Sequence, residues 1–283
     1  MVLTIAVLIV AMFSFQVGAA VAKQLFPLVG AAGTTALRLG YSSLMLLVVW
    51  RPWRIRPSAR EARMILIYGL SMGCMNLCFY ESLNHIPLGI AVALEFTGPL
   101  AVAVATSRRA IDFVWIALAA LGLVALLQLR FSSAPLDLVG VGFALAAGVL
   151  WAIYILSGQK AGNAHGGQTA ALGTAIAAMV IVPIGFGNVG LALLSPALLP
   201  LGCAVAVLSS ALPYSLEMFA MTRLPTRTFG VLMSGDPALA AVSGLVLLGE
   251  KLTVVQWTAV ACIVLASAGI AVTSRTAPAP LAN

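Results

Sequence analysis

Apolar stretches of about 20 residues recur along the chain, separated by short polar connections, and strand-like alternation is missing. An α-helix rises 1.5 Å per residue, so a run of about 20 residues crosses a hydrocarbon core of roughly 30 Å. Lipid admits only helices and closed barrels as spanning structures, and the pattern selects helices. Ten spans are expected, at roughly 2–22, 30–50, 62–83, 88–107, 111–129, 137–157, 168–187, 198–220, 226–248 and 253–273. Most connections carry Pro, Gly or charge, as at Phe26-Pro27, Arg51-Pro52 and Gly162-Asn163. Residues 1–22 resemble a signal peptide, with Ala20-Val21-Ala22 like a cleavage site. No basic region precedes the apolar stretch, so it reads as the first helix. Residues 276–283 read as a disordered tail.

The chain also repeats itself. Ile86-Pro87 opens a segment ending at Gly98-Pro99-Leu100-Ala101, and Leu224-Pro225 opens one ending at Asp236-Pro237-Ala238-Leu239. The offset between the copies is close to half the chain, and Lys23 and Lys160 nearly share it, which points to duplication. The expected fold class is therefore an all-α membrane protein of ten transmembrane helices, built as two five-helix repeats over 1–130 and 137–275. Five is odd, so the second repeat enters the membrane inverted. Inverted repeats are a transporter architecture with the site near the midplane.

Composition agrees with a lipid solvent. Hydrophobic residues make up 62% of the 283 and charged residues 8%, against roughly 25% charged in soluble domains. The net charge of +7 does not indicate nucleic acid, because the basic residues sit in membrane-flanking loops. Arg51, Arg54, Arg56, Arg60 and Arg63 form one basic loop beside Trp50 and Trp53, suited to anionic lipid headgroups. Eleven Lys and Arg fall on the N-terminal side of the spans, Arg108, Arg109, Arg223, Arg227 and Arg275 among them. Three, including Arg130, fall on the other side, which places both termini in the cytoplasm. Cys74, Cys78, Cys203 and Cys262 lie in apolar runs without metal spacing, so neither metal nor cofactor is expected.

Ionisable groups inside a membrane are expensive and point to function. At 1.5 Å per residue, Arg38 lies about 12 Å, Glu95 about 11 Å and Asp236 about 15 Å inside its span, so the three converge near the middle. Pro99 and Pro237 are expected to kink their helices and to free the carbonyls of Glu95 and Met233. Arg38 is suited to a substrate carboxylate, and Glu95 or Asp236 to an ammonium group or the coupling proton. An ion pair between Arg38 and Glu95 that fixes packing competes with this reading. Asn76 with Tyr80, Tyr214 with Glu217, and Trp151 with Tyr154 share helix faces that could line a cavity or simply pack. Glu81 and Glu217 end spans three and eight, and Glu217 is expected to pair with Arg223 and Arg227 at headgroup level. His85 and His165 fall in loops and read as solvated. Gly69-xxx-Gly73 and Gly140-xxx-Ala144-xxx-Gly148 allow close helix contact, within the chain or in a homodimer.

Several stretches resemble a known family. The five-plus-five plan resembles the drug/metabolite transporter superfamily with paired EamA domains, and Leu248-Gly249-Glu250-Lys251-Leu252-Thr253 looks like its second-repeat hallmark. Phe26 to Gly30, Pro87 to Pro99, Trp151 to Gln159, Leu212 to Met218 and Leu224 to Gly230 resemble the bacterial threonine/homoserine exporter branch. That resemblance implies a multi-pass protein of the bacterial inner membrane, exporting small hydroxylated amino acids by proton antiport. Asp236 stands where that branch is expected to carry Glu before the proline. An exporter of cationic drugs or other small metabolites is the alternative. An intramembrane enzyme would need a motif such as His-Glu-x-x-His or paired aspartates, which the spans lack. A channel is disfavoured by a fused inverted repeat.

Overall fold

The computed structural model describes residues 2–99, 101, 110–127, 137–221 and 232–273, and among these every regular element is a helix. In chain order the α-helices are α1 (Val2–Lys23), α2 (Phe26–Trp50), α3 (Ala59–Ser82), α4 (Leu88–Glu95), α5 (Ala110–Leu127), α6 (Leu138–His165) and α7 (Gly167–Val189). They continue as α8 (Leu199–Ala206), α9 (Leu212–Met221), α10 (Asp236–Leu248) and α11 (Val254–Thr273). Among the described residues six stretches are long and apolar enough to cross a membrane: Leu3–Lys23, Phe26–Trp50, Ala59–Ser82, Leu138–Gly162, Gly167–Leu194 and Pro196–Glu217. Shorter apolar helices lie at Leu88–Pro99, Phe113–Gly122, Asp236–Leu248 and Val254–Ala266. Leu3, Phe113, Leu191 and Val254 are exposed on the outside, as lipid-facing residues should be.

Helix ends follow local chemistry. Pro27 occupies the first turn of α2, and Gly30, at φ 65° and ψ 177°, interrupts the helix one turn later. The regular part of α2 thus starts near residue 30, where the sequence places it. α2 stops at Arg51, in the left-handed region before Pro52. Ser58 and Glu61 form a reciprocal capping box on α3. Asp137 caps α6 by accepting from the Val139 N–H at 2.8 Å. That N–H, followed by neighbouring His85, holds the Asp137 carboxyl below the usual carboxylate range.

Three expected spans are not simple rods. The span placed at 88–107 turns at Phe96, three residues before Pro99. Pro99 cannot donate to the Glu95 carbonyl, so the regular bonding stops there. The span placed at 226–248 turns at Ser234-Gly235, and Pro237 sits in the first turn of α10 rather than in a helix interior. The span placed at 198–220 contains a π-helical turn, Val207–Ala211, between α8 and α9. The sixth span runs on to His165, beyond the expected end at 157. Leu224-Pro225, Arg108, Arg109, Arg130, Arg223, Arg227, Arg275 and the tail 276–283 lie outside the described residues.

The core forms where α2 and α3 meet α7, α3 meets α6, and α4 lies between α6 and α10. Small residues permit these approaches. Gly69 and Gly73 of α3 lie against Gly173, Ile176 and Ala177 of α7, so that spacing is used inside the chain. A Cβ on Gly98 would fall 1.9 Å from the Gly148 carbonyl oxygen, and one on Gly148 would fall 2.7 Å from that of Glu95. Backbone touches backbone there, so no rotamer relieves a clash. Gly98→Ala is expected to lower detergent-stable folded protein several-fold, read by fluorescence size-exclusion chromatography.

Candidate functional site

Arg38 lies in the middle of α2, fully buried. Its Nε donates to Ser210 Oγ at 2.7 Å, Nη1 donates to Asn76 Oδ1, and Nη2 donates to the Ser209 carbonyl. Asn76 is itself fixed by donating Nδ2 to the Met72 carbonyl at 2.8 Å. The guanidinium carbon stands 5.0 Å from the Phe15 ring centre and 5.2 Å from that of Tyr80. Three neutral acceptors and two rings therefore hold one cation. Three of its five N–H donors are used by described residues, and among those residues the other two have no partner, which suits a planar anion such as a carboxylate.

The Ser209 acceptor has a local cause. Pro213 has no N–H to return to residue 209, and the π turn displaces the backbone bonding at the same place. A helix carbonyl is thereby released toward Arg38. This is the rule the sequence reading applied to Pro99 and Pro237, and Pro213 was missed although the signal was present.

Glu95 lies within electrostatic reach of the cation without an ion pair among the described residues. Glu95 and Asp236 are buried, at 7% and 6% exposure. Glu95 also lies within electrostatic reach of Asp236. Among the described residues no salt bridge joins Arg38 to either acid; the ion pairs found there are Lys23–Glu250, His85–Asp137 and His165–Glu61. The competing reading of Arg38 as Glu95's ion-pair partner is thus not what the structure displays. Glu217 is half-buried within electrostatic reach of Asp236, while Arg223 and Arg227 lie outside the described residues.

The aromatic candidates divide into two groups. Tyr80 and Tyr214 belong to the Arg38 cluster; Tyr214 lies by Asn76, and the buried Tyr80 hydroxyl has no hydrogen-bond partner among the described residues. Trp151 meets Phe96 edge-on at 5.4 Å, and Tyr154 stacks on Tyr68 at 4.6 Å with the hydroxyls 3.2 Å apart. These two form a neighbouring wall rather than a cradle for Arg38. His85 bonds Asp137 at 2.6 Å, and His165 lies 3.7 Å from Glu61, beyond hydrogen-bonding distance. A separate surface pocket of about 390 Å³ lies near Gly30, Glu81, Asn84 and Asn188 and shares no lining residue with the Arg38 cluster. Among the described residues no group of His, Cys, Asp and Glu could hold a metal ion.

Comparison with known proteins fits this geometry into a lineage. The threonine/homoserine exporter RhtA of Salmonella typhimurium is 57% identical over 98% of this chain and 94% of its own. That of Escherichia coli K12 is 57% identical over 96% of this chain and 92% of its own. The sequence profile of the EamA-like transporter family matches residues 138–272. The chain belongs to the EamA-like transporter family. A crystal structure of a protein only 17% identical superposes with a TM-score of 0.62, covering 95% of this chain and 96% of that one, so this EamA-like transporter shares that fold.

Family membership gives the Leu248–Thr253 segment a physical use in this EamA-like transporter. Glu250 accepts from Lys23 Nζ at 2.7 Å through one oxygen and from the Leu88 N–H at 2.8 Å through the other. One carboxylate thus ties together the end of α1, the start of α4 and the α10–α11 connection. Both donors are partly buried, so removing the carboxylate strands a cation and a helix N-terminus. Glu250→Ala is expected to lower the unfolding temperature in detergent by roughly 3–8 °C, with Glu250→Gln intermediate, checked by a thermal melt.

Proposed function

We propose that this EamA-like transporter exports small hydroxylated amino acids of the threonine and homoserine type across a bacterial inner membrane. The observation that carries the reading is the 57% identity to threonine/homoserine exporters over nearly the full length of both chains. The site chemistry supports it. An amino-acid zwitterion needs a cation for its carboxylate and an anion for its ammonium. Arg38 offers two spare donors, and Glu95 and Asp236 supply negative charge beside it. A phosphate ester would call for more positive charge than one arginine.

In this reading ten helices cross the membrane as two inverted five-helix repeats, with both termini in the cytoplasm. The repeats rock about the Arg38 cluster in alternating access, and a proton returns as the amino acid leaves. Arg51 to Arg63 then face the cytoplasmic leaflet and its anionic headgroups. The test is uptake of labelled homoserine and threonine into inside-out vesicles with an acidic interior. Gradient-dependent accumulation is expected, and failure of both substrates to accumulate overturns the amino-acid reading. Cationic drugs added as competitors examine the rival substrate class, favoured by the three acids around the site; strong inhibition by them, with none by threonine, would favour it.

A further inference from the structure

Gln16 is an unassigned polar residue at the centre of the molecule. It lies on α1, adjacent to Phe15, whose ring faces Arg38. Its side chain is completely buried, and neither Oε1 nor Nε2 has a hydrogen-bond partner among the described residues. Across the contact between α1 and α10 the amide interacts with the Asp236 carboxylate, at a geometry looser than a well-formed hydrogen bond. Asp236 Oδ1 is likewise buried and unpartnered. Ser14, two residues before Gln16, shows the ordinary solution on this helix by donating to the Leu208 carbonyl at 2.8 Å. An amide buried in a membrane bundle without a partner is costly, and Gln16 stands out against its satisfied neighbours.

The chemistry of the pair limits what completes it. Gln16 offers an N–H donor and Asp236 a carboxylate acceptor, side by side. An ammonium group would satisfy Asp236 and leave the amide donor unmet. A carboxylate would satisfy the donor and be repelled by Asp236. A hydroxyl both accepts and donates, so one such group bridges the amide N–H and the carboxylate. Building on the proposed transport site, we propose that Gln16 with Asp236 reads the side-chain hydroxyl of the transported amino acid. Gln16 donates to the hydroxyl oxygen, and the hydroxyl donates to Asp236. Arg38 meanwhile takes the carboxylate of the same molecule, so the hydroxyl is read apart from the backbone groups common to all amino acids. Gln16 is then a specificity-determining residue. A site built around a hydroxyl rejects the analogue lacking it, because its own buried polar groups go unmet.

The test compares homoserine with α-aminobutyrate, which lacks only the hydroxyl, in inside-out vesicles carrying the full-length chain. The wild type is expected to prefer homoserine by roughly 30-fold or more in kcat/KM. In Gln16→Leu and the closer isostere Gln16→Met, that preference should shrink to about 3-fold or less while α-aminobutyrate uptake is retained or rises. Retained uptake also reports that the variant is folded. An undiminished preference, or equal loss on both substrates in both variants, overturns the role of Gln16 and leaves the amino-acid reading standing. Absence of any amino-acid uptake by the wild type overturns both.

Discussion

Arg38→Lys is expected to lower homoserine uptake by roughly 100-fold or more while the protein still folds, and Arg38→Ala to remove it. The guanidinium donates in three directions, to Ser210, to Asn76 and to the Ser209 carbonyl. Lysine brings the same charge on one nitrogen. It cannot span these acceptors and still present two parallel donors to a substrate carboxylate. Losing a charge-assisted bond to the substrate carboxylate costs about 1.5–3 kcal/mol, which accounts for the expected factor. The readouts are uptake and the thermal shift produced by homoserine. A folded Arg38→Lys protein should show no shift. Wild-type uptake by that variant would mean Arg38 serves packing alone.

Much of this cluster is legible in the sequence. A charge in an apolar run has few explanations, and counting residues from the helix end places Arg38, Glu95 and Asp236 at similar depth. All three are buried, and charge interactions link them through Glu95. Depth along one helix does not tell which way a side chain faces or which helix it meets. Depth alone therefore leaves an Arg38–Glu95 pair open and does not reveal the acceptors on α3 and the π turn. Gln16 is not legible for a different reason: a neutral amide is unremarkable in composition, and only its burial without a well-formed hydrogen bond marks it. Pro213 was legible and missed. Conversely, the carbonyl that Pro99 frees on Glu95 lies against Gly148 of α6, so it serves close packing where the sequence reading offered it as a free acceptor. The helix count was read from hydropathy, and the turns at Phe96 and Ser234-Gly235 show why hydropathy alone draws straight rods there.

Glu95→Gln is expected to uncouple transport from the proton gradient. For one proton exchanged per substrate, a pH difference of one unit supports roughly tenfold accumulation in vesicles whose interior is the more acidic. In Glu95→Gln that ratio should fall to about one, while exchange of labelled for unlabelled homoserine across the same membrane persists. The reason is competition for a single group. A carboxylate in a lipid-buried cluster is costly to leave charged without a partner, so it is occupied either by a proton or by the substrate ammonium. Export on one stroke and proton return on the other then become one cycle. Glu95 fits this part better than Asp236. Glu95 lies within electrostatic reach of both Arg38 and Asp236, at the break in its helix. Asp236 faces Gln16 and is taken up with the hydroxyl. Asp236→Asn should therefore keep the gradient response and lose discrimination between homoserine and its deoxy analogue. A full gradient response in Glu95→Gln would move the coupling step to another group, and Glu217, within reach of Asp236, would be the next carboxylate to neutralise.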